Sequence, residues 1–322
     1  MIRYCLRRII NSLFLLAAVS VLTFLLFEIA PGNFLDELRL NPQVSEQTIA
    51  NLKAKYALDQ PIGVKYAQWA RSVAHGDLGF SVAYNMAAAP LLWHRAANTL
   101  LLTVTAMVLS WLIAIPTGAW IAARRGKWQD ILFGGANVIL LAIPHLMLAL
   151  ILLLFALRSG LLPVGGISST ALSSRGWGTT TGDLMAHLVL PVLCLVLVTL
   201  PMLLPHVRRA VSDVLDSPFI LAARARGLPD SRLLVGHALR ASANPVISLF
   251  GLSISELLSS SLLVEIVMSW PGLGRLLLEA ILARDFHLVV GCVLLSTAFL
   301  AGGNLIADLL LYASDPRIRA KQ

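Results

Sequence analysis

Residues Met185–His206 read MAHLVLPVLCLVLVTLPMLLPH, a run without a single Asp, Glu, Lys or Arg. A helix of about 20 apolar residues crosses roughly 30 Å of hydrocarbon, and internal prolines are tolerated in such helices. The run is therefore read as a membrane span. Similar runs lie at Ile9–Ile29, Thr99–Ala123, Ile131–Leu157, Val246–Met268 and Leu288–Tyr312. The first follows Arg3, Arg7 and Arg8 and could be mistaken for a signal peptide, but the apolar core of a signal peptide is only about 7–15 residues. Its length predicts a retained anchor. Six spanning helices put both termini on one side of the membrane.

Composition agrees with the runs. Of 322 residues, 57% are hydrophobic and only 13% charged, where a soluble chain carries about 25% charged residues; the mean hydropathy is +0.80. The net charge of +8 does not indicate nucleic acid, because the arginines lie between apolar runs, where an anionic cytoplasmic leaflet attracts them. Cys5, Cys194 and Cys292 show no CxxC or Cys/His spacing, so neither a zinc site nor a disulfide framework is expected.

Short flanks rich in Lys and Arg mark the cytoplasmic side. Arg3, Arg7 and Arg8, then Arg124, Arg125 and Lys127, then Arg208, Arg209, Arg224, Arg226, Arg232 and Arg240, and finally Arg317, Arg319 and Lys321 all fall on one face. The expected organisation is a cytoplasmic end and first helix at 1–29, a periplasmic segment at 30–97, a membrane core at 98–312 with a cytoplasmic segment at 207–245, and a cytoplasmic tail at 313–322. In the outer segment, Ser45–Tyr56 reads as a polar helix with Ile49, Leu52 and Tyr56 at helical spacing, stopped by Asp59-Gln60-Pro61. It predicts a small, partly helical cap.

The cytoplasmic stretch from Val207 to Asn244 is too long for a turn. Ser217 before Pro218 fits an N-cap followed by proline at the first helical position, and Gly227 fits a left-handed cap after Phe219–Arg226. Pro229 restarts a second helix through Leu233, Leu234, His237 and Leu239, expected to end before Pro245. Ala222, Ala223 and Ala225 leave the first helix little side-chain bulk, which suits close approach of another protein. An isolated helix this short is marginal in water, so it packs against its own chain, the membrane surface or a partner.

Leu221-Ala222-Ala223-Arg224-Ala225-Arg226-Gly227 resembles the EAA-x3-G motif of ABC importer permeases, especially the form found in peptide and nickel permeases. His237-Ala238-Leu239-Arg240 and Pro245-Val246-Ile247 continue the pattern. So do Leu58-Asp59-Gln60-Pro61, Gly76-Asp77-Leu78-Gly79-Phe80-Ser81 and Leu162-Pro163-Val164-Gly165-Gly166. Trp270-Pro271-Gly272-Leu273-Gly274-Arg275, Arg284-Asp285-Phe286 and the tail Asp315-Pro316-Arg317-Ile318-Arg319 are similar to B-type permeases of dipeptide and oligopeptide systems. Departures are Leu221 at the position of the motif's glutamate, Pro31-Gly32-Asn33-Phe34 in place of Pro-Gly-Asp-Pro, and Ser242 in place of a common Asn.

The resemblance implies an all-α type I importer permease with six transmembrane helices in the bacterial inner membrane, both termini cytoplasmic. It implies as partners a C-type permease, two cytoplasmic ABC ATPases and a periplasmic or lipid-anchored solute-binding protein. The cargo would be di- or oligopeptides, with nickel chelates or other small solutes as the alternative. Phe219, Leu221, Ala222, Ala223, Arg224, Ala225, Arg226 and Gly227, with His237 beyond them, would form the ATPase-coupling segment. The chain itself carries no P-loop: the one Gly-Lys pair, Gly126-Lys127, is followed by Trp128 without the upstream glycine that GxxxxGK[ST] needs. No cofactor and no catalytic role are expected in this chain, ATP and Mg2+ belonging to the partner ATPases.

Acids inside hydrocarbon are costly and face a bundle interior or a water-filled path. Glu28 and Asp308 lie near span ends, where interfacial solvation accounts for them. Glu256 shares the fifth span with Ser253, Ser255, Ser259, Ser260 and Ser261, a stretch that either lines a pathway or supports close helix packing; Ser253, Glu256 and Ser260 are the candidate pore residues. Glu265 stands close to the Trp270-Pro271-Gly272 turn and either lines the path or holds that turn. Gly134, Gly135, Asn137, Pro144 and His145 form a tract suited to a kink or to packing, and a lone histidine makes no metal site. A secondary transporter is the competing class, yet it has no need of a docking helix and commonly shows duplicated halves. An intramembrane enzyme would need a paired nucleophile and base or a metal-ligand pair.

Overall fold

The computed structural model describes residues 2–29, 47, 61–81, 83–168 and 177–314. The expected helix Ser45–Tyr56 apart from Gln47, the motif residues Pro31–Phe34 and Leu58–Gln60, and the tail Asp315–Arg319 lie outside the described residues. The described elements are α1 (Ile2–Ile29), α2 (Ile62–Ala74), β1 (Phe80–Ser81), β2 (Met86–Ala87), α3 (Ala88–Ala123), α4 (Trp128–Ala142), α5 (His145–Ser159) and α6 (Trp177–Leu215). They continue with α7 (Pro218–Ala225), α8 (Asp230–Arg232), a π-helical segment (Leu233–Ala238), α9 (Leu239–Ala241), α10 (Ala243–Val267), α11 (Leu273–Leu282) and α12 (Phe286–Ser314). The fold is an all-α membrane bundle, and the one sheet among the described residues is the antiparallel ribbon of β1 and β2.

Five helices are long and apolar enough to span: Leu6–Ile29, Ala88–Ala123, Thr181–Leu215, Ala243–Val267 and Phe286–Ser314. The sixth expected span, Ile131–Leu157, is not one helix. It breaks between α4 and α5 with a bend of 100°. The cause is Pro144, which disfavours helical backbone in the residue before it; Ile143 is extended at φ −86°, ψ 118°. Each arm has 15 residues, about 22 Å of helix, so neither alone crosses roughly 30 Å of hydrocarbon.

The chain divides into two compact units, residues 3–98 with 271–299, and residues 99–270 with 300–322. In the second of these, α6 is the central helix: 67% of its most apolar window is buried within the chain, against 28% for α10. Leu190, Leu195 and Leu203 are fully enclosed and pack with Leu102, Leu257 and Trp270. Proline inside α6 has a visible consequence. Pro205 has no N–H, so the carbonyl of Pro201 lacks its usual helical donor, and Asn137 Nδ2 of α4 donates to that carbonyl at 3.2 Å. Packing thus accounts for Asn137. Gly165 is also fixed by packing, since a Cβ there would lie 2.9 Å from the carbonyl oxygen of Met268, while Gly166 N–H donates to that same oxygen at 3.2 Å.

The other unit joins α1, α2, the ribbon, the start of α3, α11 and the first half of α12. Leu92, Leu276 and Leu288 are fully buried at its centre. Phe24 of α1 meets Tyr66 of α2 and Phe286 of α12 edge to face, at 5.5 and 5.0 Å between ring centres. Tyr66 shares a hydrogen bond of 2.8 Å with Ser20, and Lys65 pairs with Glu28 at 2.9 Å, which explains that acid without any substrate. The glycine in Gly76–Ser81 is required at position 79. Its φ is +87°, and a Cβ would fall 2.0 Å from the His287 ring. Asp285 is buried and accepts hydrogen bonds from Ser81 Oγ at 2.6 Å, Ala83 N–H at 3.2 Å and Leu288 N–H at 3.2 Å. One carboxylate therefore ties the ribbon to the N-terminus of α12, where the helix dipole also favours an anion.

Candidate functional site: the docking segment and a polar cluster in the membrane core

The segment 207–245 folds onto the ends of α3, α6 and α10. Val207, Val211, Ala238 and Val246 are buried with Ala119 and Ala122, and Leu234 and Leu239 pack against them. On that base α7 is anchored by one residue, Ile220, which is fully buried, while its neighbours Phe219 and Leu221 are 52% and 53% exposed. Ala222, Arg224, Ala225, Arg226 and Gly227 are exposed too, and Ala223 is half-buried. Two large apolar side chains and a row of alanines are thus presented to solvent on a helix of eight residues.

The turn after α7 has the expected left-handed glycine, Gly227 at φ +83°. Gly227 N–H donates to Arg224 O at 2.9 Å and Leu228 N–H to Ala223 O at 3.4 Å, the pair of bonds that defines a Schellman cap. Arg224 and Asp230 face each other across the turn at 3.2 Å, but both are exposed, so the pair adds little. At the other end Pro218 is the first helical residue as expected, whereas the Ser217 side chain does not cap the helix. Its Oγ turns back to Val214 O at the end of α6. Val214 O also accepts the Ser217 N–H at 3.0 Å, so the expected cap is replaced by a clasp on the preceding helix.

The second expected helix is also modified. Between the short α8 and α9, Leu233–Ala238 winds as a π-helix. A π turn brings residues five apart onto one side, and the two fully buried residues of this segment, Leu233 and Ala238, are five apart. Inward packing selects the wider turn. His237 points outward and is exposed. The second helix ends at Ala241, before Pro245 as expected, and Pro245 occupies the first turn of α10, which begins at Ala243, where the missing N–H costs no helical hydrogen bond.

In the membrane core the three candidate pore residues separate. Ser253 is fully buried; its Oγ donates to Phe250 O at 2.8 Å and accepts from Trp111 Nε1 at 3.2 Å. The two bonds hold it between α3 and α10 rather than at an open surface. Ser260 is buried as well, but lies 3.3 Å from His145 Nδ1 and 3.4 Å from Glu256 Oε1. Glu256 Oε1 is 3.7 Å from His145 Nε2, with side-chain exposures of 36% and 41%. The open polar group is therefore His145 with Glu256, backed by Ser260. Sequence spacing assigned His145 no partner, because the contact joins residues more than a hundred positions apart; the break at Pro144 was the available signal. Glu265 faces no path: it is fully buried and accepts from Thr99 Oγ1 at 2.7 Å.

In the unit containing α11, Glu279 accepts from Tyr84 OH at 2.5 Å and from Arg275 Nε at 2.9 Å. Burial raises the Glu279 carboxyl, but the Tyr84 and Arg275 hydrogen bonds and the Arg275 charge outweigh it and hold the group below the usual carboxylate range. Burial first, and then the bond to Glu279, push the Tyr84 phenol up to about 12.

The family model for a binding-protein-dependent transport system inner membrane component matches residues 114–320, and the one for the N-terminal part of such components matches residues 1–93. Along its whole length the chain is 32% identical to the oligopeptide transport system permease protein AppB of Bacillus subtilis, over 320 residues and 99% of each chain. It is 31% identical to the dipeptide transport system permease protein DppB of Escherichia coli K12, over 339 residues and all of each chain. A putative peptide permease protein of Brucella ovis is 31% identical over 99% of each chain.

Proposed function

The chain belongs to the family of binding-protein-dependent transport system inner membrane components, and on that premise we propose that it forms half of the translocation path of an ATP-driven peptide importer. The relatives named for oligopeptide and dipeptide transport support the cargo. The subunits it works with are a C-type permease, two cytoplasmic ATPases that bind ATP and Mg2+, and an external solute-binding protein. Both termini and the segment 207–245 lie in the cytoplasm, and residues 30–97 lie outside.

The observation that carries this reading is the presentation of α7. A helix of eight residues whose one fully buried side chain is Ile220, with Phe219 and Leu221 more than half exposed, is marginal by itself and leaves two large apolar side chains for a further surface to cover. A groove on the ATPase supplies that surface. Phe219 and Leu221 enter it, Ala222, Ala223 and Ala225 permit close backbone approach, and Arg224 and Arg226 contribute charge at the rim. His237 lies on the exposed side of the adjoining π segment. When the two ATPases close on ATP, α7 moves with its groove, and the buried base formed by Val207, Val211, Ala238 and Val246 transmits that motion into α6 and α10. His145 and Glu256 line the path that opens between the two permeases.

The test is co-purification of the tagged permease with its ATPases, followed by ATP hydrolysis in the assembly. Ala222 is exposed, so Ala222→Glu leaves the permease folded but places a charge where a close contact is needed; Phe219→Ala removes an anchor. Both are expected to weaken ATPase recovery and to lower transport by at least about tenfold, the effect of about 1.4 kcal/mol lost at the interface. A permease that purifies without ATPases and moves solute down an ion gradient in liposomes would refute the proposal.

A further inference from the structure

Of the two arms of the broken span, α5 is set in the core and α4 is not. Leu148, Ala149 and Ala156 of α5 are buried and pack with α6 and α10. Gln129 is the one buried residue of α4, whose Ile131, Leu132, Val138, Ile139 and Leu141 are all exposed. Among the described residues, two polar contacts hold α4 to α6. At the start of α4, Arg208 Nη2 donates to Asp130 Oδ2 at 2.7 Å and Arg208 Nε stands 2.6 Å from Oδ1. Gly126 N–H donates to the same Oδ2 at 3.0 Å. Further along, Asn137 Nδ2 donates to Pro201 O at 3.2 Å.

These contacts are in register. Asp130 and Asn137 are seven residues apart on α4, and Arg208 and Pro201 are seven apart on α6 in the reverse order. Residues seven apart share one helix face and lie about 10 Å from each other, so two antiparallel helices meet at both points. Between the points they do not close. A cavity of about 260 Å³ is lined there by Ile131, Gly134, Leu204 and Pro205, and a Cβ at Gly134 would meet nothing within 4 Å. Apolar surface gains little by leaving lipid for another helix, so polar contacts carry such a joint in the membrane. Phe133 meets Trp120 of α3 edge to face at 5.9 Å, and the Arg125–Asp216 pair at 2.8 Å is exposed and adds little.

We propose that Asp130 and Arg208 are positioning residues for transport: the pair makes α4 follow the docking segment and so moves the break at Pro144. Arg208 stands between Val207 and Val211, two residues of the buried base beneath α7. It also lies beyond Pro201 and Pro205, each of which removes a hydrogen bond from α6. The end of α6 therefore swings with α7 about these prolines while its middle stays in the core. Arg208 carries Asp130 along, and α4 turns as a lever of about 22 Å. The movement arrives at the extended Ile143, next to His145 and its contact with Glu256. The inference rests on the coupling role proposed for α7.

The test is made on the full permease purified with its ATPases. Spin labels introduced as unnatural amino acids at Val138 on α4 and Leu154 on α5, both exposed, report the distance between the two arms without nucleotide and with ATP trapped by vanadate. In the parent that distance should shift on trapping. Asp130→Asn should lose the shift while recovering ATPases as the parent does, and Asp130→Glu, which keeps the charge, should restore it. Import of labelled alanine di- and tripeptides per ATP hydrolysed should fall about tenfold in Asp130→Asn at unchanged KM, the weight of a hydrogen bond to a charged group. Arg208→Gln should do the same, and the double variant should lose no more than either, because the two residues act as one unit. Size-exclusion and melting profiles matching the parent identify folded variants, and Asp130→Asn, outside the docking segment, decides alone if Arg208→Gln does not assemble. A parent whose arms keep one distance in both states, an Asp130→Asn variant that shifts as the parent does, or single losses that add in the double variant would overturn the proposal. A parent that recovers no ATPases overturns the docking of α7, and this inference with it; a coupled parent with a coupled Asp130→Asn variant overturns this inference alone.

Discussion

Gly227 concentrates the coupling reading into one dihedral angle. Its φ of +83° lies in the left-handed region, and a Cβ there would meet nothing within 4 Å. Crowding therefore contributes nothing to a substitution, and the whole cost is conformational. An L-residue held in the left-handed region loses about 1–2 kcal/mol, a β-branched one up to about 3 kcal/mol, and asparagine, which visits that region readily, well under 1 kcal/mol. The order Asn, Ala, Val is thus fixed before any measurement. If the turn instead relaxes to negative φ, the bonds from Gly227 N–H to Arg224 O and from Leu228 N–H to Ala223 O are lost, and α7 no longer leaves its base in the same direction. Hydrogen exchange at residue 227 and Leu228, read in the assembled transporter, should accelerate about tenfold for Gly227→Ala, since 1.4 kcal/mol is a factor of ten. Gly227→Val should accelerate it about a hundredfold and reduce ATPase coupling, while Gly227→Asn stays near the parent. If asparagine is as damaging as valine, or if valine leaves exchange and coupling unchanged, the left-handed cap is not what orients α7.

Two further outcomes are expected in the other unit. Asp285→Ala strands the Ser81 hydroxyl and the amides of Ala83 and Leu288 and should cost about 3–5 kcal/mol in thermal unfolding, with Asp285→Asn costing about half, because its Oδ1 still serves one amide. Glu279, held below its ordinary value when folded, adds stability that is fully present above the ordinary carboxylate range and is lost as pH falls through the folded value. Tyr84→Phe removes the bond that opposes burial, so acid loss of protection in α11 should begin at higher pH by hydrogen exchange, and an unchanged acid limb would contradict the role given to Tyr84.

Much of this architecture is legible from local signals. Apolar length alone delivers five spans, and the pair Pro218 and Gly227 delimits α7, because proline and glycine act through the backbone dihedrals of their own positions. What the sequence does not disclose depends on distant partners. The π turn at Leu233–Ala238 has both ends buried, Ala238 against Ala119 of α3 and Val207 and Val211 of α6, a constraint absent from the segment's own propensities. Ser217 has an N-cap's composition and position, yet a carbonyl at Val214 wins its hydroxyl. Ser253, Glu256 and Ser260 form one polar stretch in sequence, and only the neighbours at Trp111 and His145 separate packing from exposure. Glu265 and Asp285 are likewise explained by Thr99 and Ser81, far away along the chain.

The break at Pro144 and the acid at Glu256 are best understood together. A continuous third span would carry His145 inside a helix, its N–H and carbonyl consumed by neighbours. The break makes His145 the first residue of α5, and the first amides of a helix have no intrahelical acceptors and carry the positive end of its dipole. Glu256 reaches the His145 ring, so a carboxylate that would be costly in hydrocarbon stands near a helix terminus able to favour it. Broken helices in transporters place polar ends at membrane depth for this reason. Pro144 thus gives up the continuity of a span and in return favours a half-exposed acid at Glu256, which is the property the proposed lining role needs and a fully buried residue such as Ser253 lacks.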